Sequence, residues 1–307
     1  MESKRGAASF RWLSRFFFPR HAFFGPQYAP RKLVLPDTPP AREDASLPRI
    51  SVVVPSLNQA DFLGRTLSSL EGQHYPNLEI LVVDGGSEDG SRDGIRAQEK
   101  KLAWWCSEPD QGQANAVNKG FVHSSGEILA WLNSDDMLAP GALFRVGSFF
   151  LDNPATDVVY SHRILVDEHD REVGRWILPP HNGNILPWAD YVPQETLFWR
   201  RSMWDMAGGG LDESFSFAMD WDLLLRFRAA GAVMKRLPCF LGLFRLHPGQ
   251  KTQAAMAEIG EGEMARLRKR ELGHVPSRAR MAVRLAPYLI RSRVHELLYR
   301  AGVLGYR

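Results

Sequence analysis

Four short apolar runs, ISVVV (50–54), EILVV (79–83), LAWWC (102–106) and EILAWL (127–132), punctuate the first half of the chain. Runs this short and this apolar predict buried strands. Between them the apolar residues recur at helical spacing, with Phe62, Leu63, Leu67 and Leu70 on one face of 61–71 and helix-like segments near 91–100 and 112–124. The alternation predicts an α/β fold, a mostly parallel, Rossmann-like sheet flanked by helices, with ligands bound at the carboxyl ends of the strands. After a helix over 140–152 and a strand over 157–161 the rhythm breaks. Residues 162–200 read as a small antiparallel portion with a polar hairpin at DEHDRE (167–172), 220–230 as a helix and 233–247 as a strand. From about Lys251 the pattern is helical, in two segments parted by Pro276. Ahead of Arg49, seven prolines from Pro19 to Pro48 forbid a long helix and predict an extended leader wrapped on the domain.

Composition narrows the class. With 307 residues, 44% hydrophobic and 24% charged, the chain has enough apolar surface for one large core, which excludes whole-chain disorder, collagen repeats and coiled coil. Cys106 and Cys239 each lie in an apolar stretch and predict two buried thiols in a reducing cytoplasm, not a disulfide framework. No apolar run approaches the ~18 residues of a membrane span. The N-terminal stretch with Phe10, Trp12, Leu13 and residues 16–18 is broken by arginines and Pro19, so it reads as neither signal peptide nor span. The net charge of +3 hides an asymmetry of +5 over 1–49, −11 over 50–264 and +9 over 265–307. An acidic centre argues against nucleic acid as the main ligand. The basic ends, one aromatic and one with amphipathic helical spacing, suit either an anionic membrane surface or solvated flanks packed on the domain.

The candidate chemistry follows the strands. The first ends in Pro55-Ser56-Leu57-Asn58, the second in Asp84-Gly85-Gly86-Ser87 and the fourth in Asn133-Ser134-Asp135-Asp136, so polar and acidic groups converge on one edge of the sheet. Each alone also suits a helix cap or turn; three in register point to a site. Adjacent carboxylates at Asp135 and Asp136 repel unless a cation or hydrogen-bond donors neutralise them, and oxygen ligands at a crevice suit magnesium or manganese with further ligands from a phosphate. GxxxxGK[ST], a strand-following GxGxxG, GxSxG and HExxH are all missing. Asp167, Glu168, His169 and Asp170 read as a hairpin turn, and Gly208-Gly209-Gly210 as a loop after a helix.

From about Arg49 to Gln253 the chain resembles the inverting nucleotide-sugar glycosyltransferases of family 2, with the GT-A fold. The matching pieces, in family order, are VVVPSLNQADFLGRTLSSL, EILVVDGGSEDGS, DQGQANAVNKGF, GEILAWLNSDDM, MDWDL and FRLHPGQKT. The resemblance implies that Asp84 holds the nucleotide base, with Pro55 and Asn58 lining the same pocket. It assigns Asp136 to the metal and Asp135 to the ribose or sugar, although the motif here is Ser-Asp-Asp and not Asp-x-Asp. Asp220 falls at the general base, preceded by Met219 where the family commonly has a glutamate. His247 matches a histidine on the diphosphate or metal. Asn118, Lys119, Gln113 and Gln194 match donor-side positions.

The implied organisation is a GT-A glycosyltransferase domain at 49–253 between a proline-rich basic leader (1–48) and a basic helical C-terminal extension (254–307). The core divides into a nucleotide-binding half (49–161) and an acceptor half (162–253). The implied activity is metal-dependent transfer of a sugar from a nucleoside-diphosphate sugar, a UDP-sugar first, to a hydroxyl of a glycan or lipid-linked acceptor in surface polysaccharide synthesis. It would take place in the cytoplasm or at the inner face of the membrane. Two rivals are a sugar-phosphate nucleotidyltransferase, disfavoured because PSLNQAD offers no glycine-rich phosphate loop, and an inactive nucleotide-sugar-binding protein of the same fold, suggested by Met219. Trp176, Trp188, Tyr191, Trp199, Trp204 and Trp221 are expected to be mostly core, with one or two stacking on an acceptor sugar.

Overall fold

Strand β1 (Ile50–Ser56) buries every residue, and its side chains alternate between two cores because a strand sends successive side chains to opposite faces. The computed structural model describes residues 25–35, 46–250 and 259–306. After β1 come α1 (Ala60–Glu71), β2 (Leu78–Asp84), α2 (Ser91–Ala97), β3 (Trp104–Ser107), α3 (Gln113–Val122), β4 (Ile128–Trp131), β5 (Met137–Leu138) and α4 (Ala142–Asp152). The second half holds β6 (Val158–Asp167), β7 (Glu172–Trp176), β8 (Phe198–Arg200), α5 (Arg201–Met206), α6 (Met219–Ala229), β9 (Met234–Leu246), α7 (Glu261–Leu272) and α8 (Arg278–Arg300).

One mixed sheet runs β3-β2-β1-β4-β8-β6-β9-β5, with β7 added to β6. β1 pairs in parallel with β2 and β4, and β2 with β3. The other long ladder, β6 with β9, is also parallel, whereas β8, β5 and β7 make short antiparallel contacts. On one face Val52, Val54, Ile80 and Ala130 pack on Leu63, Leu67 and Leu70 of α1 and Leu143, Val146 and Phe150 of α4. Each such leucine contributes about 1.5–3 kcal/mol by burial. On the other face Val53, Leu81, Leu129 and Trp131 pack on Val117 and Phe121 of α3 and on the aromatic core around Trp199 and Trp221. Gly120 lets α3 approach β1: a Cβ there would lie 2.4 Å from Val53 Cγ1.

The strands and helices of the first half fall where the apolar pattern predicts them. The stretch 162–200 differs. β6 continues unbroken to Asp167 and turns back as β7, but 177–197 carries no strand, because Pro179, Pro180, Pro187 and Pro193 cannot donate to a ladder. In β9 the register against β6 shifts twice, between Ser161, His162 and Arg163, which accommodates Pro238 within the strand. The DEHDRE segment is indeed the hairpin turn between β6 and β7, with Asp167 accepting the N–H groups of His169 and Arg171 at 3.0 and 2.9 Å.

Residues 25–35 lie extended along β7, with an Arg31–Glu172 bridge. Buried Glu172 accepts from Tyr28, Arg31 and Arg175. Burial alone would raise its pKa, but these bonds outweigh burial and hold the carboxyl down at about 2. Both cysteines are free; burial pushes the Cys239 thiol up to about 11, while Cys106 is half-buried. The N-terminal aromatic stretch, Pro36, Pro39, Pro40 and residues 251–253 lie outside the described residues. Among the described residues no helix is long and apolar enough to cross a membrane.

Candidate active site

The parallel register sets Ser56 beside Asp84, so β1 and β2 end together, and Leu132 at the end of β4 bonds back to the Val53 carbonyl at 2.9 Å. At this edge lies a cavity of about 370 Å³ lined by Pro55, Gln113, Asp135, Asp136, Gln194 and Asp220 among others. Six residues singled out from the sequence therefore share one cavity.

Asp135 and Asp136 sit in the turn between β4 and β5, which α1 pins: the Thr66 hydroxyl lies 2.8 Å from the carbonyls of both Ser134 and Asp136 and donates to one of them. Asp136 is buried, with Oδ1 accepting the Arg245 N–H at 3.0 Å and Oδ2 facing the Asn133 amide at 3.4 Å. Burial first, then the neighbouring charges of Asp135 and Glu195, push its carboxyl well above the ordinary range. His247 reaches Asp135, its Nε2 standing 3.0 Å from Oδ2, and its ring packs 4.5 Å from that of Phe62. The structure thus pairs His247 with Asp135 and leaves Asp136 to backbone and amide donors.

Asp220 lies in the first turn of α6, nearly buried, with Oδ1 accepting the Trp221 N–H at 2.8 Å. Ala218, ahead of that helix, has no side chain with which to cap it. The cap comes from α7: Glu263 accepts the N–H groups of Ser216, Phe217 and Ala218 at 2.8, 2.9 and 2.8 Å. Asp222, one turn into α6, is tied to Arg226 at 2.8 Å and to Arg270 of α7.

The other predicted positions divide. Gln113 donates to Asn133 Oδ1 at 2.7 Å and Gln194 to the Trp131 carbonyl at 2.8 Å, both at the cavity wall. Ser56 Oγ, Trp131 Nε1 and Gln194 Oε1 are buried there without a hydrogen-bond partner. Asp84 is fully buried and accepts from Ser87 N–H at 3.0 Å, from the Ser87 hydroxyl and from Ser107 Oγ at 2.7 Å; Asn58 accepts from the Glu88 N–H at 3.0 Å. Neither is among the lining residues, and together they lace the turns after β1 and β2. Asn118 braces the loop at Leu211 and Glu213, and Lys119 pairs with Glu108 at 3.0 Å, both away from the cavity. Of the aromatic group, Trp199 and Trp221 are fully buried, and Trp176 lines the cavity.

The sequence left four site residues unremarked. Arg163 and Glu195 form a buried ion pair in the cavity wall, Nε to Oε1 at 2.7 Å with a second bond beside it, and the guanidinium lies between Phe244 and Trp176 at 4.2 and 5.1 Å from their ring centres. An arginine in the apolar run VVYSHRILV was a usable signal, because a buried charge requires a partner. Arg245, fully buried, donates Nε to the Asp135 carbonyl at 2.8 Å and pairs with Asp170. Glu263 stands in an ordinary amphipathic helix and gave no signal.

The glycosyl transferase family 2 model matches residues 51–207. An uncharacterized glycosyltransferase of Mycobacterium tuberculosis is 31% identical over 187 residues, 59% of this chain and 69% of that protein. A match to a second uncharacterized glycosyltransferase, from Nostoc sp., spans only 39% of that relative. Among solved structures, Staphylococcus aureus TarS 1–349 in complex with UDP-GlcNAc superposes with a TM-score of 0.60 at 20% identity, covering 79% of this chain and 72% of that one. The mannosyltransferase PcManGT of Pyrobaculum calidifontis, in complex with GDP-Man and Mn2+, gives 0.58 at 20% identity over 98% of this chain and 86% of that one. The shared fold is that of GT-A glycosyltransferases.

Proposed function

The chain belongs to glycosyl transferase family 2, and from that membership we propose that it moves a hexosyl group, with inversion, from a nucleoside-diphosphate sugar to a hydroxyl of a glycan or lipid-linked acceptor in surface polysaccharide synthesis. The observation that carries this is the meeting of Asp135 and Asp136, from the β4–β5 turn, with Asp220, from α6, around one cavity. In this reading 49–161 binds the nucleotide and 162–253 the acceptor, between a leader at 1–48 and an extension at 254–307. The protein works in the cytoplasm, peripheral to the inner face of the membrane.

The donor set suits a divalent cation, magnesium or manganese. Two adjacent carboxylates and a histidine converge, and burial of Asp136 beside Asp135 disfavours its charge until a cation offsets it. Among the described residues no three acidic, histidine or cysteine side chains already form a complete ligand cluster, so water and the donor diphosphate would fill the remaining positions. Asp136 and His247 would hold the ion with Asp135 at the ribose or sugar, the Asp135–His247 bond orienting both. When bound, the cation neutralises charge on the departing nucleoside diphosphate.

Asp220 then takes the proton of the acceptor hydroxyl as that oxygen attacks the anomeric carbon from the face opposite the leaving group. The Trp221 N–H orients the carboxylate for this. Pro55, Asp84 and Asn58 shape the base end, Asp84 and Asn58 through the two turns they lace, while Gln113 and Gln194 face the donor and Asn118 and Lys119 brace the wall behind it. A UDP-sugar is the first donor to try.

A second reading, an inactive nucleotide-sugar-binding protein, is favoured by Met219, which lines the cavity where the resemblance implies an acid. A panel of nucleotide sugars titrated with and without manganese separates them. Metal-dependent binding, slow diphosphate release and its loss in Asp220→Asn with binding retained support the transferase. Binding without any turnover supports the second reading, and full turnover in Asp220→Asn removes the base assignment.

A further inference from the structure

Helix α8 buries one face and leaves the other bare. Met281, Leu285 and Tyr288 pack into the main core, whereas Val283, Ile290, Val294 and Leu297 are 77%, 64%, 46% and 65% exposed. At ~100° per residue these four fall within about 60° of arc, a continuous aliphatic stripe along the outer face. On the same count Arg280, Arg284 and Arg291 flank it on one side and Arg293 and Arg300 on the other. The one acidic residue of the helix, Glu296, is taken up by Arg293 and Arg300 at 2.7 and 2.6 Å.

We propose that this outer face of α8 docks on an anionic lipid bilayer, the aliphatic stripe entering the acyl boundary and the arginines meeting the headgroup phosphates. Charge decides among occupants. A second copy would set one arginine-flanked stripe against another, and residues 1–24 of this chain carry five basic side chains against one acidic, so both would be repelled. Nucleic acid would satisfy the arginines but leave four aliphatic side chains with no base to stack on.

The helix is also attached to the cavity wall. The Tyr288 ring packs 4.8 Å from that of Tyr191, and Arg284 lies 5.7 Å from the Trp188 ring. The intervening Asp190 and the following Val192 line the cavity. Docking α8 therefore presents the acceptor half of the cavity at a fixed height over the membrane, where the hydroxyl of a lipid-linked acceptor would stand. This rests on the peripheral location proposed above, but its test reads lipid binding and not transfer.

The test uses the full chain, sedimented with vesicles of equal parts phosphatidylglycerol and phosphatidylcholine at low salt, and with pure phosphatidylcholine vesicles. Because residues 1–24 are also basic, the variants decide. Arg280→Glu/Arg291→Glu and, separately, Ile290→Asp/Leu297→Asp should each weaken binding to the anionic vesicles at least tenfold, while slow donor hydrolysis is unchanged. Pure phosphatidylcholine should bind neither wild type nor variants. Equal binding of wild type and both variants overturns the proposal. So does loss of binding in the arginine pair alone with duplex DNA bound as tightly as the vesicles, which would make the face a polyanion site. Concentration-dependent dimerisation abolished by Ile290→Asp/Leu297→Asp, without a change in lipid binding, overturns it in favour of a second copy. A chain that binds anionic vesicles as expected but shows no donor turnover leaves this surface standing and removes the transferase reading.

Discussion

Glu263 of α7 accepts the N–H of Ala218, the residue directly ahead of the helix that carries Asp220. A helix start whose own sequence provides no cap is thus capped from another helix, which couples the C-terminal extension to the proposed base. Glu263→Ala should cost about 1–3 kcal/mol of stability by leaving these donors unpaired. It should lower kcat roughly ten- to a hundredfold by letting Asp220 drift, with nucleotide affinity nearly unchanged, and Glu263→Gln should recover part of kcat. Equal losses in kcat and nucleotide affinity would mean that Glu263 acts on the fold alone.

The Asp135–His247 bond offers a second check. His247→Ala should weaken nucleotide binding about tenfold or more with manganese present and change it little in chelator, as read by calorimetric titration. A similar loss under both conditions would detach His247 from the cation.

Glu172 fixes an acid limit. Its folded pKa, about 2, lies below the ~4.3 of an unfolded glutamate, so its contribution is present above that unfolded value and is lost as pH falls through the folded one. Glu172→Gln should cost about 3–5 kcal/mol at neutral pH. The gap between mutant and wild-type denaturation curves should narrow as pH is lowered from ~4.5 towards 2. A gap independent of pH would show that the charge is immaterial.

Gly120→Ala tests the contact of α3 with β1. The added methyl collides with Val53, and overpacking of this kind costs about 1–3 kcal/mol. Val53→Ala in the same chain should cost less than the sum of the two single changes, measurable by urea unfolding.

Where apolar runs were continuous, the fold was legible from sequence. β1, β2 and β4 announce themselves because strands buried on both faces tolerate few polar residues. β6 outlasts its predicted end because Ser161, His162 and Arg163 look like the close of a strand. Their polar atoms are satisfied inside the fold, His162 Nδ1 accepting the Leu178 N–H at 3.0 Å and Arg163 meeting Glu195. Asp135 and Asp136 were legible because two adjacent acids at a strand end call for donors or a cation from beyond their own turn, and the structure brings His247 to the first and the Arg245 N–H to the second. Asp84 is the counterexample, since Ser87 in its own turn and Ser107 at the end of β3 satisfy it as part of the fold. Partnerships across the chain, such as Glu263 with the turn before α6, leave no mark on either segment.

The sheet order bears on how the chain is made. β1 to β4 pair within about eighty residues of one another, but β5 waits for β9, more than a hundred residues downstream, and the long parallel ladder of β6 waits for the same strand. Lining residues run from Pro55 to Gln250. During synthesis the parallel strands can assemble early, yet the cavity lacks a wall until β9 leaves the ribosome. A chain cut short before Met234 therefore lacks the wall that Phe244, Gly249 and Gln250 supply and has no enclosed site.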